Sequence, residues 1–165
     1  MAKTQIHSLA SALQHSRPLQ RERINMKKLS IITICYNEPD VEKTCESIVN
    51  QTWQDFEWIV IDGGSDEKTQ RIWQQYRHRI DKFVSEKDSG IYNAMNKGIR
   101  MATGEYLLFL NAGDALEDAE VINKVIKMGL DRDVVYGDVR PVGRGDGTRV
   151  QTFPDFIDRI YWIRH

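Results

Sequence analysis

The stretch EWIVIDGGSD, residues 57–66, decides the fold class because it joins a strand to a helix through two glycines. Residues 57–62 are rich in β-branched side chains, which predicts a buried strand. Gly63 and Gly64 then end the strand, and a helix is predicted to begin near Asp66.

The same alternation of short apolar runs and helical periodicity extends on both sides of this stretch. Strands are predicted at residues 29–37, 57–62, 81–86, 105–110 and 133–139. Helices are predicted between them, after 37, near 66, over 90–104 and over 116–130. This order predicts an α/β sandwich, with a mostly parallel sheet between helices. Because right-handed crossovers bring the carboxyl ends of the strands to one edge, we expect ligands to bind at that edge.

Composition excludes several classes of protein. The 165 residues suit one domain, and 23 basic against 24 acidic residues give no basic excess for nucleic-acid binding. Cys35 and Cys45 form no CxxC pair, so we expect buried thiols rather than a zinc site or a disulfide. No apolar run approaches the ~20 residues of a membrane span. Residues 1–26 are predicted to be a mobile or loosely docked leader, and residues 27–165 the folded domain.

The first two predicted strands end in side chains suited to a nucleotide. Tyr36 offers an aromatic face for stacking and Asn37 an amide. Taken alone, these two residues favour the alternative in which Asn37 caps the next helix and Tyr36 only packs. Asp62 is a fixed acceptor for an N–H of a base or for a ribose hydroxyl, and the alternative is a tight turn in which Asp66 caps the helix. Neither GxxxxGK[ST] nor GxGxxG occurs, so no phosphate loop of those kinds is predicted.

The helix predicted over 90–104 has an apolar and a polar side. The apolar side, predicted to face inward, comprises Ile91, Met95, Ile99 and Ala102. The polar stripe comprises Asn93, Asn96, Lys97 and Arg100. Such a stripe is usually solvated, but asparagine has a low helix propensity, which favours a surface that binds sugar and phosphate.

The stretch LNAGD, residues 110–114, ends the fourth predicted strand. A carboxylate among small residues leaves room for a hydrated cation, and Mg²⁺ prefers one or two carboxylates plus substrate phosphates. Asp114 followed by Glu117 also matches a capping box for a helix beginning near 115. Both interpretations of Asp114 stay open at this point.

The succession SIITICYNE, EWIVIDGGSDEKT and SEKDSGIYNAMNKGIRMATGEYLLFLNAGD resembles the family 2 glycosyltransferases, which have the GT-A fold. The resemblance covers residues 28 to about 140, and it is greatest to bacterial members that build capsular, exopolysaccharide or lipopolysaccharide chains. It implies an inverting transfer of a sugar from a nucleotide diphosphate-sugar donor to a glycan or lipid-linked glycan acceptor. It also implies a cytoplasmic protein, and leaves open attachment at the inner face of the membrane.

The resemblance assigns roles to residues at the strand ends. Tyr36 and Asp62 hold the base, residues 93–97 line the ribose and pyrophosphate, and residues 111–114 replace the Asp-x-Asp motif. Asp114 is implied as the ligand of Mn²⁺ or Mg²⁺. The implied nucleotide-binding residues are Thr33, Tyr36, Asn37, Asp62, Asn93, Asn96, Lys97 and Asn111. Asp138 and Asp155 are carboxylates of the right type for the catalytic base, but nothing assigns either.

The chain departs from the family pattern in three respects. Asn111 stands where an aspartate is common, and Gly63 where a second aspartate often follows Asp62. The chain also ends about fifty residues after Asp114, which predicts a C-terminal truncation that removes acceptor-binding parts and exposes surface for self-association. Two alternatives remain: a nucleotidyltransferase, against which the acidic CYNEPD argues, and a non-catalytic binding or assembly module.

Overall fold

The computed structural model describes residues 28–130. The leader predicted at 1–26, the strand predicted at 133–139, and the carboxylates Asp138 and Asp155 lie outside the described residues. The chain divides into two compact units, residues 1–123 and 124–165, and the candidate site lies in the first. Within the described range, no helix is long and apolar enough to cross a membrane.

Four parallel strands form the sheet that is described. They are β1 (Leu29–Cys35), β2 (Glu57–Asp62), β3 (Lys82–Ser85) and β4 (Tyr106–Phe109), in the order β3-β2-β1-β4. Cys35 pairs with Asp62, which in turn pairs with Ser85, so three strands end side by side at one edge. This confirms the predicted α/β architecture and its parallel sheet.

The helices follow the strands in the predicted alternation. They are α1 (Val41–Val49), α2 (Glu67–Tyr76), α3 (Ile91–Met101) and α4 (Val121–Met128). Helices α1 and α2 contact one another, whereas α3 packs on β1 and β2. The chain therefore crosses back over the sheet with α3 before adding β4 beside β1, and this reversal leaves a crevice at the carboxyl ends of the strands.

The core lies on the two central strands. All residues of β1 and β2 are buried, as expected for parallel strands covered on both faces. Ile32, Ile34, Ile59 and Ile61 form a cluster with Ala94 of α3. Full burial of an isoleucine side chain contributes about 1.5–3 kcal/mol to stability, so this cluster contributes strongly to the stability of the central strands.

The face by which α3 packs on the sheet agrees with the prediction only in part. The predicted inner face comprised Ile91, Met95, Ile99 and Ala102. In the structure Ala94 and Gly98 are the buried residues. Of the predicted inner face, Met95 and Ala102 are partly buried and pack against the core, whereas Ile91 and Ile99 are exposed. A Cβ on Gly98 would lie 2.4 Å from Cγ2 of Ile32. The small residues Ala94 and Gly98 thus let the helix approach the sheet closely. The short distance between helix and sheet leaves no room for larger side chains at these positions.

The helix predicted over 116–130 begins only at Val121, so the predicted capping box of Asp114 and Glu117 is wrong. Gln51, buried at the end of α1, binds the segment instead. Its Nε2 donates to the carbonyl oxygen of Asp118 (2.7 Å), and its Oε1 accepts from the backbone N–H of Ile122 (3.0 Å). A distant side chain thus satisfies one of the free N–H groups at the start of α4.

Candidate functional site

A cleft of about 730 Å³ opens at the carboxyl edge of the sheet. That volume lies within the ~300–1,000 Å³ typical of small-molecule sites. Its walls are the ends of β1 and β2, the loop before α3, the first turn of α3, and Asn111 with Ala112. The cleft therefore lies where the parallel topology predicts a ligand.

Tyr36 forms an open aromatic surface in this cleft. Its side chain is 69% exposed, and its Cδ2 lies 3.2 Å from the position that a Cβ on Gly63 would occupy. Oδ2 of Asp88 lies 3.4 Å from the same position. A side chain at position 63 would therefore press on the ring of Tyr36 and lie beside the carboxylate of Asp88.

Asp62 is fully buried at the end of β2, and its two carboxylate oxygens differ sharply. Oδ2 accepts hydrogen bonds from the N–H groups of Gly64 and Ser65, from Nε2 of Gln70 and from Oγ of Ser85. Oδ1 is buried and has no hydrogen-bond partner among the described residues. Leaving a buried acceptor unpaired costs about 1–3 kcal/mol of stability. Oδ1 is therefore a candidate to accept a hydrogen bond from a donor group of a ligand.

Asn37 connects the end of β1 to the start of α2. Its backbone has φ 51°, an uncommon left-handed conformation that asparagine tolerates. Its N–H donates to Oγ of Ser65 (2.8 Å), and its Oδ1 accepts from the N–H of Asp66 (2.7 Å). It does not cap α1, whose N-cap position is Asp40. Asp66 caps α2 by accepting from the N–H of Thr69, as predicted.

The turn at residues 111–114 is held by α1. Oγ1 of the buried Thr44 accepts from the N–H of Gly113 (2.9 Å) and donates to the carbonyl oxygen of Asp114 (2.7 Å). Gly113 has φ 95°, and a Cβ there would lie 3.1 Å from Cδ of Glu38. The Asp114 side chain remains exposed. Thr44 thus fixes the backbone that carries this carboxylate.

Asn111 lines the cleft where β4 passes into this turn. The main chain still follows β1, because Ala112 N–H donates to the carbonyl oxygen of Ile34 (2.9 Å). Oδ1 of Asn111 is buried and has no hydrogen-bond partner among the described residues. The cleft therefore contains an acceptor that protein groups leave unsatisfied, in addition to the one on Asp62 at the end of β2.

The residues at 111–114 fit a cation that is shared with a ligand. Among the described residues, no group of three or more His, Cys, Asp or Glu forms a self-contained metal cage. Asp114 offers one exposed carboxylate at this turn. This donor set suits Mg²⁺ or Mn²⁺ that takes its other ligands from phosphates and water.

The predicted stripe on α3 does not form the cleft wall. Ile91 and Ala94 line the cleft instead, while Asn96 is exposed and Asn93 only partly buried. The side chain of Lys97 is 18% exposed, and its Nζ pairs with Oε1 of Glu86 at 2.8 Å. The lysine is therefore bound to the segment that leaves β3.

Thr33 lies in the core rather than in the cleft. It is fully buried, and its Oγ1 accepts from Nε1 of Trp58 at 3.0 Å. Cys35 and Cys45 are free and buried, as predicted. Burial raises the pKa of the Cys35 thiol, and it raises the pKa of Cys45 to about 12, so both stay neutral thiols.

Three residues of the site were not assigned from the sequence. Thr44 resembles any helical threonine, and only the fold shows that it reaches residues 113 and 114. Glu38 and Asp88 face the cleft from opposite loops. The sequence did indicate both residues, because each lies within a few residues of a predicted strand end. They were not assigned because a carboxylate in a loop is usually solvated.

Comparison with known proteins finds relatives in sequence and in fold. The family model described as glycosyl transferase family 2 matches residues 30–162. A PGL/p-HBAD biosynthesis glycosyltransferase of Mycobacterium bovis (strain BCG / Pasteur 1173P2) is 38% identical over 117 residues, 67% of this chain and 46% of that protein. The poly-beta-1,6-N-acetyl-D-glucosamine synthase of Staphylococcus epidermidis is 32% identical over 103 residues, which cover 61% of this chain and 25% of that protein.

Solved structures show the same GT-A architecture. The mannosyltransferase PcManGT from Pyrobaculum calidifontis, in complex with GDP-Man and Mn²⁺, matches with TM-score 0.57 and 25% identity, over 71% of this chain and 36% of that one. S. aureus TarS 1-349 in complex with UDP matches with TM-score 0.55 and 26% identity, over 61% of this chain and 31% of that one. The chain spans less than half the length of each of these four proteins.

Proposed function

Because the chain belongs to glycosyl transferase family 2, we propose that it binds a nucleotide diphosphate-sugar in the cleft at the carboxyl edge of the sheet. The reaction is transfer of the sugar, with inversion, to a hydroxyl of a glycan or lipid-linked glycan in bacterial surface polysaccharide synthesis. The observation that carries this proposal is the cleft itself, which combines the open ring of Tyr36 with the unsatisfied acceptor of Asn111, while the end of β2 beside it carries a second such acceptor on Asp62.

The base and ribose occupy the part of the cleft near β1 and β2. The exposed ring of Tyr36 is a stacking surface, and base–aromatic stacking contributes about 1–3 kcal/mol. Oδ1 of Asp62 accepts an N–H of the base, while Oδ2 keeps the glycine turn in place. Oδ1 of Asn111 accepts a ribose hydroxyl. These bonds satisfy acceptors that the protein leaves free, so the cleft gains from a ligand with donors.

The diphosphate extends toward residues 111–114. Asp114 holds Mn²⁺ or Mg²⁺ together with the phosphates, and Lys87 adds positive charge from the loop before α3. When bound, the cation neutralises charge on the departing nucleoside diphosphate. Lys97 is not a phosphate ligand in this proposal, because its ammonium is paired with Glu86.

The acceptor side of the reaction involves residues beyond this cleft. A carboxylate base removes the proton of the acceptor hydroxyl, which then attacks the anomeric carbon from the face opposite the diphosphate. We leave the base unassigned, with Asp138 and Asp155 as candidates of the right chemical type. The proposal includes a cytoplasmic location at or near the inner face of the membrane, where lipid-linked acceptors are available.

Asn111→Ala tests the donor site without a large effect on folding. Removal of an unpaired buried acceptor should leave the free energy of unfolding unchanged or slightly higher. The same change should weaken nucleotide binding about tenfold, measured by calorimetry with GDP and UDP in the presence of Mn²⁺. The matched control is Asn50→Ala, at an exposed asparagine after α1, which should change neither quantity.

Donor hydrolysis measured with UDP- and GDP-sugars separates an enzyme from a binding module. The proposal expects slow release of the nucleoside diphosphate that depends on Mn²⁺ and falls in Asn111→Ala. If nucleotides bind but no sugar donor is cleaved or transferred, the chain is a non-catalytic nucleotide-binding module. If no nucleotide binds, the proposed donor site is wrong.

A further inference from the structure

Residues 113–120 connect the turn that carries Asp114 to α4, and no helix or strand occurs among them. Most of these residues are exposed, so little apolar burial fixes the path of this 113–120 segment. The Asp114 side chain is itself exposed, which means that its position follows from the backbone. Hydrogen bonds that hold this backbone therefore determine where the carboxylate of the proposed cation site lies.

Two residues that directly follow α1 and its C-cap hold the far end of the 113–120 segment. Nε2 of Gln51 donates to the carbonyl oxygen of Asp118 (2.7 Å), and Oε1 of Gln51 accepts from the N–H of Ile122 (3.0 Å). The N–H of Thr52 donates to the carbonyl oxygen of Ala119 (2.8 Å). The far end is thus attached to the end of α1 by a side chain and by the backbone.

The carboxamide of Gln51 is itself fixed in orientation. Only 4% of Gln51 is exposed. Besides the bond to Asp118, its Nε2 donates to the carbonyl oxygen of Ser47 in the last turn of α1 (2.9 Å). Both N–H donors and the acceptor oxygen of the amide are therefore used. Because only one orientation of the amide satisfies all three bonds, Gln51 holds the segment at a fixed position relative to α1.

The two ends of the segment are held from the same helix. Thr44 holds the turn at residues 111–114, and Gln51 holds residues 118–122. If Gln51 released its end, the exposed backbone between the two attachments would sample more conformations. A cation bound at Asp114 would then have to order this backbone, and the cost of ordering would reduce what the cation contributes to binding.

We propose that Gln51 is a positioning residue for cation-dependent nucleotide binding, and that it acts through the 113–120 segment on the carboxylate of Asp114. The inference rests on the proposed function, because it assumes a nucleotide and a cation at this edge of the sheet. It goes further by assigning a role in binding to a buried side chain that does not line the cleft.

Amide hydrogen exchange of the full chain, without nucleotide or metal, tests the structural step. The N–H of Gly113 is bonded to Thr44 and not to Gln51, so its protection reports whether the far attachment also holds the turn. Gln51→Met keeps the length of the side chain and removes its hydrogen bonds. We expect the N–H groups of Ile122 and Gly113 both to exchange about tenfold faster in this variant. Unchanged exchange at Gly113 would show that Gln51 holds only the start of α4, and would overturn the inference.

Calorimetry with GDP and UDP, with and without Mn²⁺, tests the step from structure to binding. In the parent chain we expect Mn²⁺ to strengthen binding about tenfold or more. In Gln51→Met this gain should fall to about threefold or less, because the carboxylate that binds the cation is no longer held in place. Affinity without metal should stay unchanged, since the open ring of Tyr36 lies on another loop.

Gln54→Met is the matched control for a merely structural effect. Gln54 also binds the end of α1, because its Nε2 donates to the carbonyl oxygens of Val49 and Gln51. Its Oε1 accepts from Arg79 rather than from the 113–120 segment. Gln54→Met should therefore lower the midpoint of thermal denaturation and leave the Mn²⁺ gain unchanged. Equal losses of the Mn²⁺ gain in both variants would mean that general destabilisation of α1 is the cause, and the role of Gln51 would be wrong.

Gln51→Glu keeps the proposal testable if Gln51→Met does not fold. Its carboxylate can still accept from the N–H of Ile122 but has no donor for the carbonyl oxygens of Ser47 and Asp118, so we expect an intermediate loss of the Mn²⁺ gain.

The outcomes separate this inference from the function on which it rests. If nucleotides bind with a Mn²⁺ gain that the folded Gln51 variants retain, the donor site exists and only the inference fails. If neither nucleotide binds to the parent chain, the proposed function and the inference both fail.

Discussion

Oγ1 of Thr44 donates a 2.7 Å hydrogen bond to the carbonyl oxygen of Asp114, seventy residues further along the chain. The same oxygen accepts from the N–H of Gly113. A buried side chain of α1 therefore shapes the turn that carries the only carboxylate of the LNAGD stretch. This contact couples the packing of α1 on the sheet to the proposed metal site.

Thr44→Val should destabilise the protein and also weaken nucleotide binding. The change keeps the shape of the side chain but leaves the Gly113 N–H and the Asp114 carbonyl without their partner, at a cost of about 1–3 kcal/mol in the free energy of unfolding. Urea unfolding measures this cost, and calorimetry with Mn²⁺ measures the binding. Thr52→Val, at an exposed threonine, is the control and should alter neither. An unchanged free energy of unfolding in Thr44→Val would show that the turn at residues 111–114 keeps its conformation without the Thr44 hydroxyl.

Gly63→Ala and Gly98→Ala should have opposite effects on folding and binding. A Cβ at 63 would lie 3.2 Å from Cδ2 of Tyr36, an exposed ring that can move, so stability should change little. The displaced ring should lower nucleotide affinity several-fold. A Cβ at 98 would lie 2.4 Å from a methyl group of the buried Ile32, which should cost about 1–3 kcal/mol through overpacking.

These two variants are compared by thermal denaturation and by nucleotide titration under the same conditions. Loss of binding together with loss of stability in Gly63→Ala would contradict a role that is confined to the cleft. Unchanged stability in Gly98→Ala would mean that α3 lies further from the sheet than the structure shows.

Lys97 and Glu86 should act as one pair in positioning the cleft wall. If Lys97 bound phosphate directly, Lys97→Met would abolish binding while Glu86→Gln would leave or improve it. Because the two side chains are paired at 2.8 Å, and Glu86 N–H also donates to the carbonyl oxygen of Asp62, we expect both single variants to weaken binding about equally.

A double-mutant cycle on this pair gives the decisive comparison. The double variant should be no weaker than either single one, because the two changes remove the same interaction. Lys97→Arg should retain most of the affinity, since the ion pair survives. If the losses of nucleotide affinity were additive in the double variant, Lys97 would act as a separate phosphate ligand.

Glu57 should make stability depend on pH at the edge of the sheet opposite the cleft. Burial alone raises the pKa of Glu57, but hydrogen bonds from Lys82, Ser30 and Thr103 outweigh it, so that the pKa lies below its usual value of 4.5. A carboxylate with a lowered folded pKa contributes stability that is present above pH 4.5 and is lost as pH falls through the folded pKa.

Glu57→Gln should therefore lower the free energy of unfolding by about 2–4 kcal/mol at neutral pH and flatten its decline on acidification. Urea unfolding at pH 7 and at about pH 3.5 measures both effects. Glu67→Gln is the exposed control. An unchanged pH profile in Glu57→Gln would show that other carboxylates govern the acid sensitivity.

The strands were predictable from sequence because buried parallel strands leave a strong local signal. The run EWIVID gave β2 its observed limits, Glu57–Asp62, since apolar β-branched residues end abruptly at glycines. The inner face of α3 was only partly predictable from apolar residues, because Met95 and Ala102 pack against the core but Ile91 and Ile99 do not. Whether Ala94 or Ile91 turns inward depends on how closely the helix approaches β1, and that distance is a property of the fold.

The site was predictable in its position but less so in its members. Tyr36 and Asn111 line the cleft, whereas Thr33 is fully buried and bonded to Trp58. The position of Thr33 on β1 does not indicate that its hydroxyl accepts a hydrogen bond from a tryptophan N–H 25 residues away. The capping box at Asp114 was a sound local pattern, but contacts made by Thr44 and Gln51 replaced it. Long-range hydrogen bonds of this kind leave no trace in a local sequence window.

The central claim is that the cleft binds a nucleoside diphosphate together with a cation held at Asp114. The most direct measurement is the affinity of the parent chain and of Asp114→Asn for GDP or UDP, whichever binds more tightly, with and without Mn²⁺. We predict that Mn²⁺ strengthens binding about tenfold or more in the parent chain and that Asp114→Asn loses this gain while its metal-free affinity is unchanged. Equal Mn²⁺ gains in both proteins, or the absence of saturable binding in the parent chain, would contradict the claim.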